Sequence, residues 1–294
     1  MADSPAISRR ILLLGSGGMI GSALQRLCAG ADLEAFRHEE LDITDYVALE
    51  RAMLRHKPEI VLNAAAFTRV DDCEKFRETA FVANAQAPGH LALLCSKYRA
   101  LMVHFSTDYI FDGNATRPYA EDHPASPVNY YGATKWEGEK LIAASGCRFL
   151  ILRTSWIFGR NGDNFVKKLL RRALAGAPLQ APVDQVGSPT KAGDVAEAVI
   201  MLLDTGVTGV YHFTNAGSCS RFEQARTILQ QYGLNNSVEP AKNDSLPTPA
   251  KRPHYSVLDC TRYTERTGHV PRIWQESTAE YIAFLKENDT ELRS

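Results

Sequence analysis

Short apolar runs alternate with longer amphipathic segments through the first half of the chain. The apolar runs predict buried strands, and the segments between them have helical spacing. Regular alternation of this kind is typical of a parallel sheet with crossover helices on both faces. The predicted strands are residues 10–14, 33–36, 60–63, 101–106 and 149–153, and the predicted helices are residues 19–28, 46–56, 85–98 and 130–145.

The second half is less regular. Residues 159–163 form a turn-rich break, residues 195–203, 221–231 and 275–286 predict helices, and residues 209–213 predict a strand. Residues 246–253 carry three prolines, which indicates a linker or a rigid surface loop.

We therefore predict an α/β protein, with a Rossmann-like doubly wound parallel sheet and a smaller C-terminal α/β substrate lobe. Residues 8–157 and about 190–215 are expected to bind a dinucleotide, and about 158–189 and 216–294 a substrate.

Composition narrows the classes of partner. The 294 residues carry 33 Lys and Arg against 34 Asp and Glu, without the basic excess expected of a nucleic-acid surface. No apolar run approaches the ~18 residues of a membrane span. The six cysteines are scattered without a CxxC pair, which is typical of free thiols in a reducing compartment. These features predict a cytoplasmic protein that binds neither nucleic acid nor membrane.

A glycine-rich turn joins the first predicted strand to the first predicted helix. Gly15, Gly18 and Gly21 have the spacing GxxGxxG, and Met19 and Ile20 lie between the last two. Small residues allow a tight turn, close approach to a pyrophosphate and close packing of helix on sheet. The helix N-terminus adds N–H groups and partial positive charge. The turn predicts a dinucleotide site.

The end of the second strand bears on which nicotinamide cofactor binds. A carboxylate there would bind an adenosine ribose, but the strand ends in Arg37, which suits a 2′-phosphate. This favours NADPH. Two carboxylates follow, Glu39 and Glu40, so NADH is an alternative cofactor. Asp42 and Ile43 are expected beside the adenine. Small residues that would let a dinucleotide approach the third strand are Ala64, Ala65 and Ala66.

The segment Tyr131 to Lys135 places a phenol and an amine four residues apart, on one face of a predicted helix. An adjacent ammonium is expected to lower the phenol pKa and make Tyr131 a proton donor for a carbonyl–alcohol interconversion. Tyr130 is the poorer candidate because its i+4 residue is Thr134. Thr107, at the end of an earlier strand, is expected to hydrogen-bond the substrate oxygen.

Six segments resemble the extended short-chain dehydrogenase/reductase superfamily and, within it, the dTDP-4-dehydrorhamnose reductase family. The glycine turn and the YxxxK pair define only the superfamily, whereas the segments beginning at residues 184 and 252 are particular to the narrower family. The segments are NAAAFT at 63–68, STDYIFDG at 106–113, NYYGATK at 129–135, RTSWIF at 153–158, DQVGSPT at 184–190 and RPHYSVLD at 252–259.

The resemblance implies NADPH-dependent reduction of the C4 ketone of dTDP-4-dehydro-L-rhamnose to dTDP-L-rhamnose. Thr107, Tyr131 and Lys135 would be the catalytic triad, with Tyr131 the general acid and both Tyr131 and Lys135 also contacting cofactor. The indole of Trp156 would lie against the 6-deoxy methyl group, and Arg252 would meet the nucleotide diphosphate. The implied substrate-binding residues are Thr107, Asp108, Tyr109, Trp156 and Arg252.

Three positions depart from the usual family pattern: Met19, Arg69 and Lys191. These departures affect local contacts rather than the reaction. The acidic residues with which some family members bind a metal between subunits are not identifiable here. A Mg²⁺ requirement and a homodimer therefore stay open.

Alternatives remain inside and outside this superfamily. Sugar dehydratases place Asp-Glu after the threonine, whereas Thr107 is followed here by Asp108 and Tyr109. Epimerases match the segments at 184 and 252 poorly, but another nucleotide-sugar reductase or epimerase stays open. A non-catalytic regulatory subunit resembling the methionine adenosyltransferase β subunit is the alternative from a different class. The isolated histidines are interpreted as structural or surface residues: His104, His212 and His269.

Overall fold

The computed structural model describes residue 4 and residues 7–245 and 248–292. The strands are β1 (Arg10–Leu14), β2 (Asp32–Phe36), β3 (Ile60–Asn63), β4 (Leu101–Thr107), β5 (Arg148–Thr154), β6 (Ile157–Phe158), β7 (Leu179–Pro182), β8 (Val186–Gly187), β9 (Thr190–Lys191), β10 (Gly209–His212), β11 (Cys219–Ser220) and β12 (Val238–Ala241). The helices are α1 (Met19–Leu27), α2 (Tyr46–His56), α3 (Val70–Lys75), α4 (Arg77–Phe81), α5 (Ala87–Tyr98), α6 (Tyr130–Ala144), α7 (Phe165–Leu174), α8 (Ala192–Asp204), α9 (Arg221–Tyr232), α10 (Thr261–Thr267) and α11 (Trp274–Asn288).

Six strands form one parallel sheet in the order β10-β5-β4-β3-β1-β2. The chain moves outward from β1 to β2, then crosses to β3 and proceeds in the other direction. The strand order therefore reverses between β1 and β3. In open α/β sheets the crevice beyond the carboxyl ends of such strands is the usual ligand site.

Apolar layers cover both faces of this sheet, and the predicted doubly wound fold is confirmed. Leu24 of α1 and Val199 of α8 belong to the core on one face. Leu49 of α2, Leu91 of α5 and Ile142 of α6 belong to the core on the other. Burial on both faces explains why β1 and β3 read as continuous apolar runs rather than alternating ones.

A third core lies under the C-terminal helices. Val166 and Leu170 of α7 pack with Ile228 of α9 and Ile282 of α11. A short sheet, in which β12 pairs in parallel with β7, borders this core. Two further pairings each join strands of only two residues: β6 pairs in parallel with β9, and β8 pairs antiparallel with β11. Strands of two residues leave little periodicity, and none of these four was predicted.

The proline-rich stretch belongs in part to a fixed loop. The backbone N–H of Ala250 donates to Oδ1 of Asp71 at 3.1 Å, which ties this loop to α3. The described residues 248–253 therefore behave as a surface loop rather than a linker. The remaining residues of the predicted loop, Leu246 and Pro247, lie outside the described residues.

Predicted boundaries agree with the structure where periodicity is strong and differ near π-helical residues Val82–Gln86. There the predicted helix 85–98 begins as α5 at Ala87. The Asn84 amide makes two hydrogen bonds with the Phe67 backbone, accepting at 2.8 Å and donating at 3.0 Å. These bonds fix the chain just before α5. None of the described helices has both the length and the apolar character that crossing a bilayer requires.

Candidate active site

Two cavities meet beyond the carboxyl ends of β1 and β3. The outer cavity, of about 910 Å³, is lined by Gly15, Arg37 and Ile43 among others. The inner cavity, of about 450 Å³, is lined by the proposed triad and by Trp156. Both share four lining residues: Gly18, Ala64, Ala65 and Ala66. The glycine turn and the small residues after β3 thus form a common wall, and the two cavities make one cleft.

The glycine turn has the geometry that close approach requires. Gly15 has a φ of +76°, and a Cβ there would lie 2.6 Å from the backbone nitrogen of Ala65. Gly18 is the N-cap of α1, and no side chain caps that helix. Its first backbone N–H groups therefore lack a side-chain acceptor, which suits a phosphate. Gly21 is buried in α1, and Met19 and Ile20 line the inner cavity.

Arg37 lies at the mouth of the outer cavity, exposed at the end of β2. Its backbone N–H donates to Oε2 of Glu40 at 2.7 Å, so this carboxylate closes the turn after the strand. Asp42 and buried Ile43 also line the outer cavity. The residues predicted for the adenosine end are therefore together.

α6 carries Tyr131 and Lys135 into the inner cavity from its first two turns. Asn129 caps the helix, because its Oδ1 accepts from the backbone N–H of Gly132 at 2.8 Å. A Cβ on Gly132 would collide with the backbone carbonyl oxygen of Tyr109, so glycine permits α6 to approach the loop after β4. The rings of Tyr109 and Tyr131 pack edge to face, with centroids 6.1 Å apart.

Lys135 is a buried lysine held by two contacts on β4. Its Nζ donates to the backbone carbonyl of Phe105 at 2.7 Å and lies 2.9 Å from Nε2 of His104. Burial lowers the pKa of Lys135 to about 8, while Glu139 on the same helix opposes that shift. Lys135 is thus closer to losing its proton near neutral pH than an exposed lysine.

The structure corrects the expectation that Lys135 lowers the pKa of Tyr131. Burial raises the pKa of this phenol above its usual value, and the neighbouring Asp108 carboxylate adds to the rise. A hydrogen bond with Thr107 opposes it. Loss of water around the phenol is the largest cause of the rise, because desolvation disfavours the phenolate. The phenol therefore stays protonated at neutral pH, as a proton donor must.

Thr107 and Asp108 form a hydrogen-bonded pair at the end of β4. Oγ1 of Thr107 donates to Oδ1 of Asp108 at 3.0 Å and accepts from the backbone N–H of Tyr109 at 3.1 Å. Burial raises the pKa of Asp108 to about 6, against opposing hydrogen bonds from Ser256 and Thr107. Thr107, Asp108 and Tyr109 all line the inner cavity.

Trp156 has an unexpected neighbour. The guanidinium carbon of Arg221 lies 3.5 Å from its ring centroid. Arg221 also lines the inner cavity, and burial lowers its pKa to about 10. One face of the indole is therefore covered by a cation. Ser220 and Glu223 form a capping box that fixes the start of α9, a sequence signal that could have placed Arg221 on the first helical turn.

Arg252 lies outside the lining of the inner cavity. Its two terminal nitrogens bond the two carboxylate oxygens of Asp71 at 3.0 and 2.9 Å. This bidentate ion pair and the Ala250 contact hold the 248–253 loop to α3. A phosphate at Arg252 would have to compete with Asp71.

His104 also has a more specific position than its sequence suggested. It is fully buried on β4 between Asn63 and Lys135. A lone histidine in a strand gives no signal of such a contact, because the packing of α6 against β4 creates it. Within the described ranges, no cluster of three or more His, Cys, Asp or Glu residues could hold a metal ion.

Comparison with known proteins agrees with this geometry. The model of the RmlD substrate binding domain family matches residues 9–287. A relative from Streptomyces antibioticus named "Probable dTDP-4,6-dihydroxy-2-methyloxan-3-one 4-ketoreductase" is 39% identical over 277 residues, covering 92% of this chain and 94% of the relative. The dTDP-4-dehydrorhamnose reductase of Mycolicibacterium smegmatis is 37% identical over 286 residues, covering 95% of this chain and 86% of the relative.

A solved structure extends the likeness to the fold. The dTDP-4-dehydrorhamnose reductase of Bacillus anthracis, in complex with NADP, has a TM-score of 0.91 and 32% sequence identity, with 94% of this chain and 99% of that chain covered. The resemblance inferred from the sequence motifs is confirmed. The chain therefore belongs to the RmlD substrate binding domain family, as an oxidoreductase similar along nearly its whole length to dTDP-4-dehydrorhamnose reductases.

Proposed function

We propose that the chain reduces the C4 ketone of dTDP-4-dehydro-L-rhamnose to dTDP-L-rhamnose with NADPH, and that Thr107, Tyr131 and Lys135 carry the reaction. The observation that supports this most is the shared lining of the inner cavity by these three side chains. The same cavity continues past Ala64–Ala66 into a larger one suited to a dinucleotide.

The residues of the outer cavity fit NADPH. The position of Gly15 excludes any larger side chain, and the uncapped start of α1 offers N–H donors to a pyrophosphate. Arg37 would hold a 2′-phosphate, with Asp42 and Ile43 beside the adenine. Tyr131 and Lys135 would contact the nicotinamide end. When bound there, NADPH would supply a hydride to the ketone carbon.

Side chains of the protein would supply the proton and stabilise the charge that develops during the reaction. The Oη atom of Tyr131 donates its proton to the substrate C4 oxygen as that oxygen gains negative charge. The hydroxyl of Thr107 orients the same oxygen, and Asp108 fixes this hydroxyl through the bond to its Oδ1. Lys135 in its protonated form stabilises the resulting phenolate. Loss of water around these groups strengthens each interaction.

Other residues that line the inner cavity would bind the rest of the substrate. Trp156, Arg221, Asp108 and Tyr109 line the same cavity. No carboxylate forms a salt bridge with Arg221 among the ion pairs of the described residues. Arg221 is thus placed to bind an anionic or oxygen-rich part of a nucleotide sugar. It is a better candidate than Arg252, which is engaged by Asp71.

We propose that one part of the chain binds the dinucleotide and the other binds the substrate, with the boundaries predicted from the sequence. β10 joins the large sheet, which supports assigning residues 190–215 to the dinucleotide part. Residues 158–189 and 216–294 would form the substrate lobe. The six cysteines are free thiols, which supports a cytoplasmic location.

A turnover assay with a panel of dTDP-4-keto-6-deoxyhexoses tests the proposal. The purified chain is expected to consume NADPH with dTDP-4-dehydro-L-rhamnose and to use NADH less well. Absence of turnover with every ketone, while NADPH still binds, would contradict the proposed function and favour a regulatory role.

A second candidate is reduction of another dTDP-4-keto sugar. The name of the Streptomyces antibioticus relative, a probable 4-ketoreductase that is 39% identical, is the observation that favours it. Arg221 over Trp156 is the feature of this chain that would change the sugar preference. The panel separates the candidates, because the preferred ketone has the highest kcat/KM.

A further inference from the structure

The buried side chains of Asn63, His104 and Lys135 form a continuous chain of polar contacts that begins at the common wall of the cleft. Nδ1 of His104 lies 3.1 Å from Nδ2 of Asn63, and Nε2 lies 2.9 Å from Nζ of Lys135. Oδ1 of Asn63 accepts from the backbone N–H of Ala65 at 3.2 Å. That bond turns the amide nitrogen of Asn63 toward the imidazole.

The number of protons on His104 follows from these contacts. Burial and the adjacent Lys135 hold the pKa of His104 well below its usual value, so the imidazole is neutral and carries one proton. An amide nitrogen can only donate, so Nδ1 of His104 accepts from Asn63. The proton is therefore assigned to Nε2 by the hydrogen-bond network. Nε2–H then faces Nζ of Lys135, which can accept only as a neutral amine.

We propose that His104 is a positioning residue that couples the charge on Lys135 to the hydrogen bonding of Ala65 in the common wall. The catalytic meaning of this coupling rests on the proposed reductase function. In the state with one more proton, taken up from solvent, Nδ1 of His104 is protonated and the former Nε2 proton is on Nζ, so Lys135 is an ammonium and His104 stays neutral. Nδ1–H now needs an acceptor, and the Asn63 amide turns its oxygen toward it and releases the N–H of Ala65.

The charged groups around this chain of contacts allow the change within an accessible pH range. On α6, Glu139 favours the ammonium form of Lys135 and is itself paired with Arg153 of β5 at 2.7 Å. Beyond β4, Asp108 lines the same cavity as Lys135. From α6, Tyr131 faces that cavity as a neutral phenol. Burial of Lys135 opposes Glu139 and lowers the lysine pKa to about 8.

This coupling links the site's charge to its ligands. Ala65 belongs to the wall shared by both cavities, so a freed N–H there is a new donor toward a bound dinucleotide. The ammonium and the freed donor arise in the same state, and both favour electron-rich ligand atoms. By thermodynamic reciprocity, binding of NADPH near pH 8 then promotes proton uptake at Lys135.

Nitrogen-15 NMR of the histidines in the full-length protein without cofactor tests the proposal. His104 is expected to carry its proton on Nε2 at high pH and on Nδ1 at low pH. The midpoint should coincide with that of the Lys135 ε-carbon signal, without an imidazolium stage. One unchanged tautomer over the whole range, or direct formation of an imidazolium, would overturn the proposal. His212 is an internal control, because its Nδ1 faces the backbone carbonyl of Tyr119 at 3.1 Å and should keep its proton there.

The variant Asn63→Leu interrupts this chain of contacts while leaving His104 and Lys135 themselves unsubstituted. It removes the donor that fixes Nδ1 as an acceptor, so the pKa of Lys135 should rise by about one unit, a tenfold change in proton affinity. Asn215→Leu removes another buried asparagine, which bonds Asp194 instead, and should leave Lys135 unchanged. Equal titration of Lys135 in the parent and in Asn63→Leu would contradict the coupling. These spectra require no turnover, so their outcome is separate from that of the substrate panel.

Discussion

The guanidinium of Arg221 stacks on the indole of Trp156, with its central carbon 3.5 Å from the ring centroid. This contact places a cation beside the indole in the lining of the inner cavity. In the proposed site, the cation would favour substrate oxygens or phosphate. It also holds the indole in place, because stacking of guanidinium on an aromatic ring is favourable.

Replacing Arg221 with Met tests its contact with the substrate. The unbranched side chain keeps the packing on Trp156 but removes the charge, so KM for the nucleotide sugar should rise by roughly 10- to 100-fold, as expected for a lost charged hydrogen bond. Affinity for NADPH should be unchanged. Arg226→Met, at an exposed position on the same helix, is the matched control. An unchanged KM in Arg221→Met would remove Arg221 from the substrate site.

Tyr131→Phe removes the proposed proton donor while keeping the aromatic ring. We expect kcat to fall by about 10²–10⁴-fold, the usual contribution of general acid catalysis. Steady-state kinetics and a thermal unfolding curve would separate lost chemistry from lost stability. Tyr130→Phe is the control, because Tyr130 stacks with Arg77 and does not line the inner cavity. A kcat of Tyr131→Phe within about twofold of the parent would exclude Tyr131 as the acid.

Arg37→Ala should discriminate between the two nicotinamide cofactors. The exposed guanidinium at the outer cavity is placed for a 2′-phosphate, so binding of NADPH should weaken by about 10-fold or more and binding of NADH much less. Dissociation constants measured by fluorescence titration would show this. Arg55→Ala, on the exposed side of α2, should change neither constant. Equal losses for both cofactors would discard the 2′-phosphate contact.

Asp108 should make stability depend on pH. Its pKa is about 6 in the folded chain and 3.8 ordinarily, so the folded state binds this proton more tightly. The stabilising contribution is complete below the ordinary pKa and is lost as pH rises through about 6. Asp108→Asn mimics the protonated form, so it should gain stability relative to the parent between acidic and neutral pH, on the order of 3 kcal/mol.

Denaturant unfolding of the parent and of Asp108→Asn at several pH values would measure that difference. Glu121→Gln is a comparison at a second carboxyl whose pKa is raised by burial, a half-buried one outside the inner cavity. If the stability gap between parent and Asp108→Asn is the same at every pH, Asp108 does not titrate as described.

The sequence predicts the large sheet well because its signals are local. Strands β1 and β3 coincide closely with apolar runs in the sequence. Helix α2 begins after Asp45, whose side chain caps it by accepting from the backbone N–H of Ala48 at 3.0 Å. Burial on both faces gives each central strand a continuous apolar run. Helix α6 begins directly after Asn129, whose side chain caps it, and this local contact determines where Tyr131 and Lys135 lie.

The remaining features depend on contacts between distant residues. The pairing of β8 with β11 joins segments about 30 residues apart, and neither strand has its own periodicity. Arg221 reaches Trp156, and His104 reaches Lys135, only once helices dock on the sheet. The raised pKa of Tyr131 likewise depends on burial, which the spacing of two residues does not report.

Deuterium transfer tests the central claim most directly. The purified chain would be given dTDP-4-dehydro-L-rhamnose and NADPH labelled with deuterium at nicotinamide C4 in both positions, and the product analysed by proton NMR. We predict dTDP-L-rhamnose with deuterium bonded to sugar C4 and a hydroxyl there. Unchanged ketone, or a product whose C4 carries only solvent hydrogen, would contradict reduction at this site.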